Sequence, residues 1–241
     1  MSAVSGRRLA ALLAAFWLAS AGPALADYET GMQAYRGQDY ALALQHFRAD
    51  AEAGHAPSQS ALAILYARGE GVEKDVAQAA HWFGQAGTQG NARAQHLLGR
   101  IHHSGALGER DMSQAIKWFE MASAQGFGLS SLALVAVYYK GDGVPQDLGK
   151  AAGYAKRAAE AGLPGAQLQY GYMLLNAEGV ERQPEEAYFW LFLASQRGLE
   201  DAISVITQIP EGDLTSEQRL AVERRAIEWT AKAAERQAPQ K

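Results

Sequence analysis

Residues 126–162 read GFGLSSLALVAVYYKGDGVPQDLGKAAGYAKRAAEAG, and this stretch decides the fold. It opens and closes on glycine, and the glycine returns: Gly54, Gly90, Gly126, Gly162 and Gly198 stand 36 residues apart. Other slots keep the same register. Trp82, Trp118, Tyr154 and Trp190 share one, Ala79, Ala115, Ala151 and Ala187 another, and Ala86, Ala122, Ala158 and Ala194 a third. Asp75, Asp111 and Asp147 share a fourth, with Gln183 at its end. Self-similarity at a fixed period of tens of residues marks stacked copies of one supersecondary unit. Function then has to be sought where the copies differ.

Each copy reads as two helices. Pro57 sits where a helix starts and its missing N–H costs little. The first helix runs to about Arg68 and sends Leu62, Leu65 and Tyr66 inward. Gly69-Glu70-Gly71-Val72 is a loop that needs positive backbone angles. Gly141-Asp142-Gly143-Val144 and Ala177-Glu178-Gly179-Val180 keep that pattern, and Gly105-Ala106-Leu107-Gly108 scrambles it. Asp75 with Gln78, and Asp111 with Gln114, have the spacing of a capping box at the second helix. That helix buries Ala79, Trp82, Phe83 and Ala86 and ends at Gly90, a left-handed C-cap position. The small alanines admit close helix approach, and the aromatic at 82 fills the space between units.

The ends differ from the middle. Residues 1–26 read as a secretory signal: Arg7-Arg8, an apolar run of 13 residues from Leu9 to Ala21, Pro23, then the small-x-small Ala24-Leu25-Ala26. The run is too short to span a bilayer. Ser5-Gly6-Arg7-Arg8 matches a twin-arginine signal poorly, which favours the general secretory route. Cleavage after Ala26 would put the chain in the periplasm or outside the cell, with no membrane insertion afterwards. Residues 27–55 read as an N-terminal capping helix pair, 56–202 as four 36-residue repeats, 203–236 as C-terminal capping helices carrying Val222, Ala226, Trp229 and Ala233 on one stripe, and 237–241 as a tail. The expected fold class is an all-α solenoid of antiparallel helix pairs.

Composition narrows the function. The chain has 241 residues and no cysteine, which excludes disulfides, thiolate metal sites and a cysteine nucleophile. Without residues 1–26 the balance is 20 basic against 26 acidic side chains, the wrong sign for a nucleic-acid footprint. The chain carries no G-x-S-x-G, H-E-x-x-H, S-x-x-K or phosphate loop. A carboxylate pair of glycosidase type stays open as an alternative. His96 and His103 lie seven apart on one helical face, but no third ligand has compelling spacing, so neither a metal nor another cofactor is expected.

Leu98-Gly99, His102, Gly105, Asp111, Ala115, Trp118, Ala122 and Gly126 resemble the Sel-one-like repeat (SLR), a relative of the tetratricopeptide (TPR) repeat. Leu134, Tyr138, Gly141 to Val144, Asp147, Lys150-Ala151, Ala158-Ala159 and Ala161-Gly162 resemble it more closely. Leu214 to Gln218 followed by Glu228-Trp229 is similar to the terminal helix of exported bacterial members. The resemblance implies a right-handed superhelix and a scaffold for protein–protein interaction, in some exported members one that regulates envelope signalling or assembly. A cysteine-rich branch is linked to β-lactam or muramyl-peptide binding; without cysteines, that role does not carry over.

Subtracting the repeated slots leaves one stripe on the first helices. It holds Ser60, Ile64 and Ala67, then His96, Arg100 and His103, then Leu132, Ala136 and Tyr139, then Leu168, Tyr172 and Leu175. In related solenoids the first helices line the concave surface. Arg and Tyr are favoured interface anchors. His96, Arg100, His103, Tyr139, Tyr172 and Leu175 are therefore the expected contacts for a peptide or helix of another envelope protein, the chain itself being a monomer and not an enzyme. The leucines could equally be packing residues. Tyr139 and Tyr172 could instead stack on cell-wall glycan, which leaves a muropeptide-binding module as the alternative, with an unrecognised hydrolase behind it. Arg219, Arg224 and Arg225 alternate with Glu217, Glu223 and Glu228 and read as a solvated, ion-paired face.

Overall fold

A computed structural model describes residues 24–237, and these form twelve α-helices with no strand among the described residues. Residues 1–23 of the expected signal segment (1–26) and residues 238–241 of the expected tail lie outside the described residues. Helices α1 (Ala24–Arg36), α2 (Tyr40–Glu52), α3 (Ala56–Arg68) and α4 (Val76–Thr88) are followed by α5 (Ala92–Ser104) and α6 (Met112–Ala124). Then come α7 (Gly128–Lys140), α8 (Leu148–Glu160), α9 (Pro164–Asn176), α10 (Pro184–Ser195), α11 (Glu200–Thr207) and α12 (Ser216–Gln237). The contacts fall into two compact units, one as far as Ala94 and one from Gln95 onward.

The repeated glycines end the second helices as their spacing predicts. Gly90 has φ +91° and Gly126 φ +80°. The residue after each reaches back to the carbonyl five earlier: the amide of Asn91 donates to Ala86 at 3.1 Å and that of Phe127 to Ala122 at 3.1 Å. This is the Schellman closure, and only a residue free to take positive φ makes it without strain.

The capping aspartates do half of what their spacing suggests. Asp75 Oδ1 accepts from the Gln78 amide at 2.9 Å, and Asp111 does the same for Gln114. The reciprocal half of a capping box is replaced, because the Asp75 amide donates to the Tyr66 carbonyl of the preceding helix. Asp111 pairs likewise with His102, Asp147 with Tyr138 and Gln183 with Leu174. That one bond pins both ends of the loop. A reciprocal box does form at Thr215 and Gln218, where α12 starts.

The unit up to Ala94 has its core in Ala34, Ala43, Phe47, Ala51, Leu62 and Leu65. The unit from Gln95 has a larger core running from Ala115 and Phe119 to Val222 and Ala226. Ala79, Ala86, Ala115, Ala122, Ala151, Ala158, Ala187 and Ala194 are all fully buried. The Trp82 slot behaves differently from expectation. Trp82, Trp118 and Tyr154 are half-buried, and the ring that enters the core is the next residue, Phe83 or Phe119. Only Trp190 is buried, because Trp229 of α12 packs on it at 6.0 Å between ring centres.

The scrambled loop shifts by one residue. Gly105 keeps the first left-handed position at φ +71°, but the second falls at Gly108. In the fourth repeat Ala177 holds the first position at φ +57°, where Gly69 and Gly141 stand in other repeats. The second glycine, Gly179, lies so close to the Leu148 carbonyl that any side chain would overlap it.

Candidate functional site

Of the six stripe residues expected as partner contacts, the fold brings Tyr139 and Tyr172 into one recess. They are 33 residues apart, one repeat less about one helical turn, so they meet from adjacent first helices α7 and α9. The open recess holds about 380 Å³, with Leu168 and Val205 as apolar wall and Glu178 and Asp201 at its edge. Tyr139 Oη donates to Glu178 Oε2 at 3.0 Å, and that hydrogen bond, reinforced by the carboxylate charge, raises the Tyr139 pKa. Tyr172 is 47% exposed and presents its ring to solvent. The recess thus combines an apolar wall, an open aromatic face and two acidic groups. It suits a side chain with an apolar stem and a hydrogen-bond-donating or cationic end.

The other expected contacts lie elsewhere. His96 is a correction to the accessible stripe: it is 8% exposed, with its ring against Phe119 and Phe127 and Nδ1 2.9 Å from Ser130 Oγ. Burial, then the charge of Arg100, lowers its pKa to about 4, so it is neutral at pH 7. Arg100 is exposed. Leu175 and Leu168 pack partly against the core, as helix-packing leucines do.

His103 joins a charged cluster. Its Nε2 is 3.1 Å from Asp142 Oδ2, which also accepts from Arg110 Nη2 at 2.7 Å. The Arg110 hydrogen bond foremost, and then that of His103, hold the Asp142 carboxyl below its usual pKa. His103–Asp142 and Tyr139–Glu178 are one and the same contact, repeated 36 residues on. A third periodic bond accompanies them: the side chains of Arg110, Gln146 and Arg182 donate to the carbonyls of His103, Tyr139 and Leu175. The loop acids 142 and 178 therefore tie each repeat to the one before. Their shared slot was visible in the alignment of copies, but their partners, 39 residues upstream, were not. Asp201, in the first turn of α11, carried no sequence signal.

On α12, Arg225 pairs with Glu186 at 2.8 Å and lies over the Phe189 ring. Arg219 donates to the Ile209 carbonyl and lies over Tyr188. These arginines fasten α12 to α10, more than a freely solvated face would. Among the described residues no three His, Asp or Glu side chains gather as metal ligands would, and no helix is long and apolar enough to cross a membrane.

The Sel1 repeat family model matches residues 56–91, 92–127, 129–163, 164–199 and 217–237. The chain belongs to the Sel1 repeat family. The last match falls on α12, where Ala226, Trp229 and Ala233 keep the spacing of Ala187, Trp190 and Ala194. No curated protein sequence matches this one. Among solved structures, a Sel1 repeat protein from Oxalobacter formigenes superposes with a TM-score of 0.70 at 24% identity, over 83% of this chain and 84% of its own. A protective antigen present in uropathogenic Escherichia coli strains, displaying an SLR fold, gives 0.48 at 23% identity, over 92% of this chain and 66% of its own. A Sel1 repeat protein from Klebsiella pneumoniae gives 0.49 at 22%, over 79% and 95%. The fold is thus an all-α solenoid of repeats. Sel1 repeats are generally protein-interaction scaffolds and typically non-catalytic.

Proposed function

We propose that this Sel1 repeat protein is an exported adaptor of the bacterial envelope. It holds a segment of another envelope protein against the first helices α7 and α9, and so serves an assembly or signalling system there. The observation that carries this reading is Tyr172: a large ring nearly half exposed, over a recess with two carboxylates, on the stripe where the repeats diverge. Aromatic anchors at a partly desolvated centre dominate interface energetics, and the surrounding polar groups set orientation. Arg100, exposed on α5, would add a charged contact to the same partner. The export half of the reading rests on the sequence of residues 7–26.

A photo-crosslinking residue at position 172 tests it in the living cell. One defined envelope protein should be captured from position 172 and not from Lys156, an exposed position on the second helix α8. Tyr172→Ala with Arg100→Ala should abolish co-purification of that protein and leave the thermal melt in place. Equal capture from both positions, or unchanged recovery with the double variant, would refute the docking face. Mature protein lacking a new N-terminus at Asp27 would refute the cleaved signal.

A further inference from the structure

The unit ending at Ala94 holds a second, more enclosed recess of about 210 Å³. Met32 and Tyr35 of α1 line it, together with Ile64 and Ser60 of α3, over the ring of Phe47. It shares no residue with the Tyr139–Tyr172 recess. A dry cavity of roughly 150 Å³ already admits benzene, so this volume suits one aromatic side chain.

The lining also carries polar groups: Asn91 Oδ1 accepts from the Ala94 amide and Tyr35 Oη from Arg68, while Ser60 and Arg93 remain open. Ser60 is 6% exposed, and among the described residues its hydroxyl makes no hydrogen bond. The residue is buried, but its hydroxyl oxygen is not among the atoms closed off from solvent, so it stays open to a partner. The hydroxyl borders the recess, so a ligand atom placed there can complete it. Arg93 stands at the same recess, exposed and, among the described residues, without an ion-pair partner. A guanidinium beside an apolar opening favours an anionic neighbour to whatever group enters.

We infer that this recess is a peptide-docking site that takes a tryptophan side chain flanked by acidic residues. The ring fills the space over Phe47, the indole N–H donates to Ser60 Oγ, and a flanking carboxylate meets Arg93. Tryptophan fits better than phenylalanine because only the indole offers a donor to the unpaired hydroxyl. The chain is acidic as a whole, so attraction of an acidic segment depends on this local cation.

Fluorescence anisotropy of the full protein with fluorescein-labelled peptides reads this directly. The probes are Glu-Glu-Trp-Glu-Glu, its Trp→Ala and Trp→Phe forms, and Lys-Lys-Trp-Lys-Lys. The first should bind saturably, and Trp→Ala, lysine flanks or the surface variant Arg93→Glu should each weaken it about tenfold, with Arg93→Glu reversing the preference between flanks. Ser60→Ala should weaken the tryptophan peptide and leave the phenylalanine peptide unchanged, a difference that a general loss of folding would not produce. Tyr172→Ala should leave every constant unchanged, which separates this site from the α7–α9 recess. Absence of saturation into the millimolar range, or affinities indifferent to Trp→Ala or to Arg93→Glu, would overturn the assignment.

Discussion

His96 shows how one residue can leave the role its position suggests. It occupies the stripe slot of Ser60, Leu132 and Leu168, yet it is enclosed between two phenylalanine rings and bonded to Ser130. A histidine held neutral there destabilises the fold in acid. The unfolded chain takes up its proton near the ordinary pKa of about 6.5, and the folded chain only near 4. Stability contributed by neutral His96 is therefore complete above pH 6.5 and is lost as pH falls toward 4, on the order of 3 kcal/mol across that window. Thermal melts at stepped pH should show this decline in the wild type. His96→Phe, which keeps a ring in the slot and cannot be protonated, should flatten the decline; a curve of unchanged steepness would assign the acid sensitivity to other groups.

Between elements, packing is governed by matched volumes in paired slots. A Cβ on Gly99 of α5 would lie 2.7 Å from the Phe119 ring of α6, and one on Gly171 of α9 would lie 2.7 Å from Leu191 of α10. One repeat reverses the sizes: Val135 of α7 and Ala155 of α8 take the same two slots, both buried. Glycine in mid-helix costs about 1 kcal/mol in propensity, and here it makes room for a large neighbour. Gly99→Val should destabilise by about 1–3 kcal/mol through overpacking, and Phe119→Ala by about 3–5 kcal/mol through a cavity. The double variant, which reproduces the Val135–Ala155 arrangement, should be clearly more stable than the sum of the two losses. Denaturant midpoints of the four proteins decide this, and simple additivity would show that the slots are not coupled.

At the scale of the whole molecule, repeats are stabilised by their neighbours, so an end must be covered. Helix α12 does this for the unit from Gln95. Val222 and Ala226 are buried, Trp229 packs on Phe189 and Trp190, and Tyr188 Oη donates to Glu223 at 2.6 Å. Burial foremost, and then that bond, push the Tyr188 pKa up to about 12. Truncation after Gly212 should expose this aromatic face, lower the melting temperature and increase binding of a hydrophobic dye. A truncated protein that melts like the full chain would show α12 to be an appendage. Its match to the Sel1 repeat model agrees with its packing: the helix carries repeat sequence and is lengthened at the end of the stack.

The 36-residue period, the helix pairs, the left-handed glycines and the alanine seams were legible in the amino-acid order alone. Each depends on local backbone conformation or on a slot that every copy fills in the same way. Tertiary structure alone decided which stripe residues face solvent. It enclosed His96, joined His103 to Asp142 and Tyr139 to Glu178 across 39 residues, and left Tyr172 over an acidic recess. It also left the Ser60 hydroxyl, among the described residues, without a hydrogen bond at the edge of a recess. Helical spacing assigns a residue to a face, but its exposure depends on what the next repeat lays over that face. That is a long-range fact, set by side-chain volumes and hydrogen-bond reach between helices and absent from the period itself.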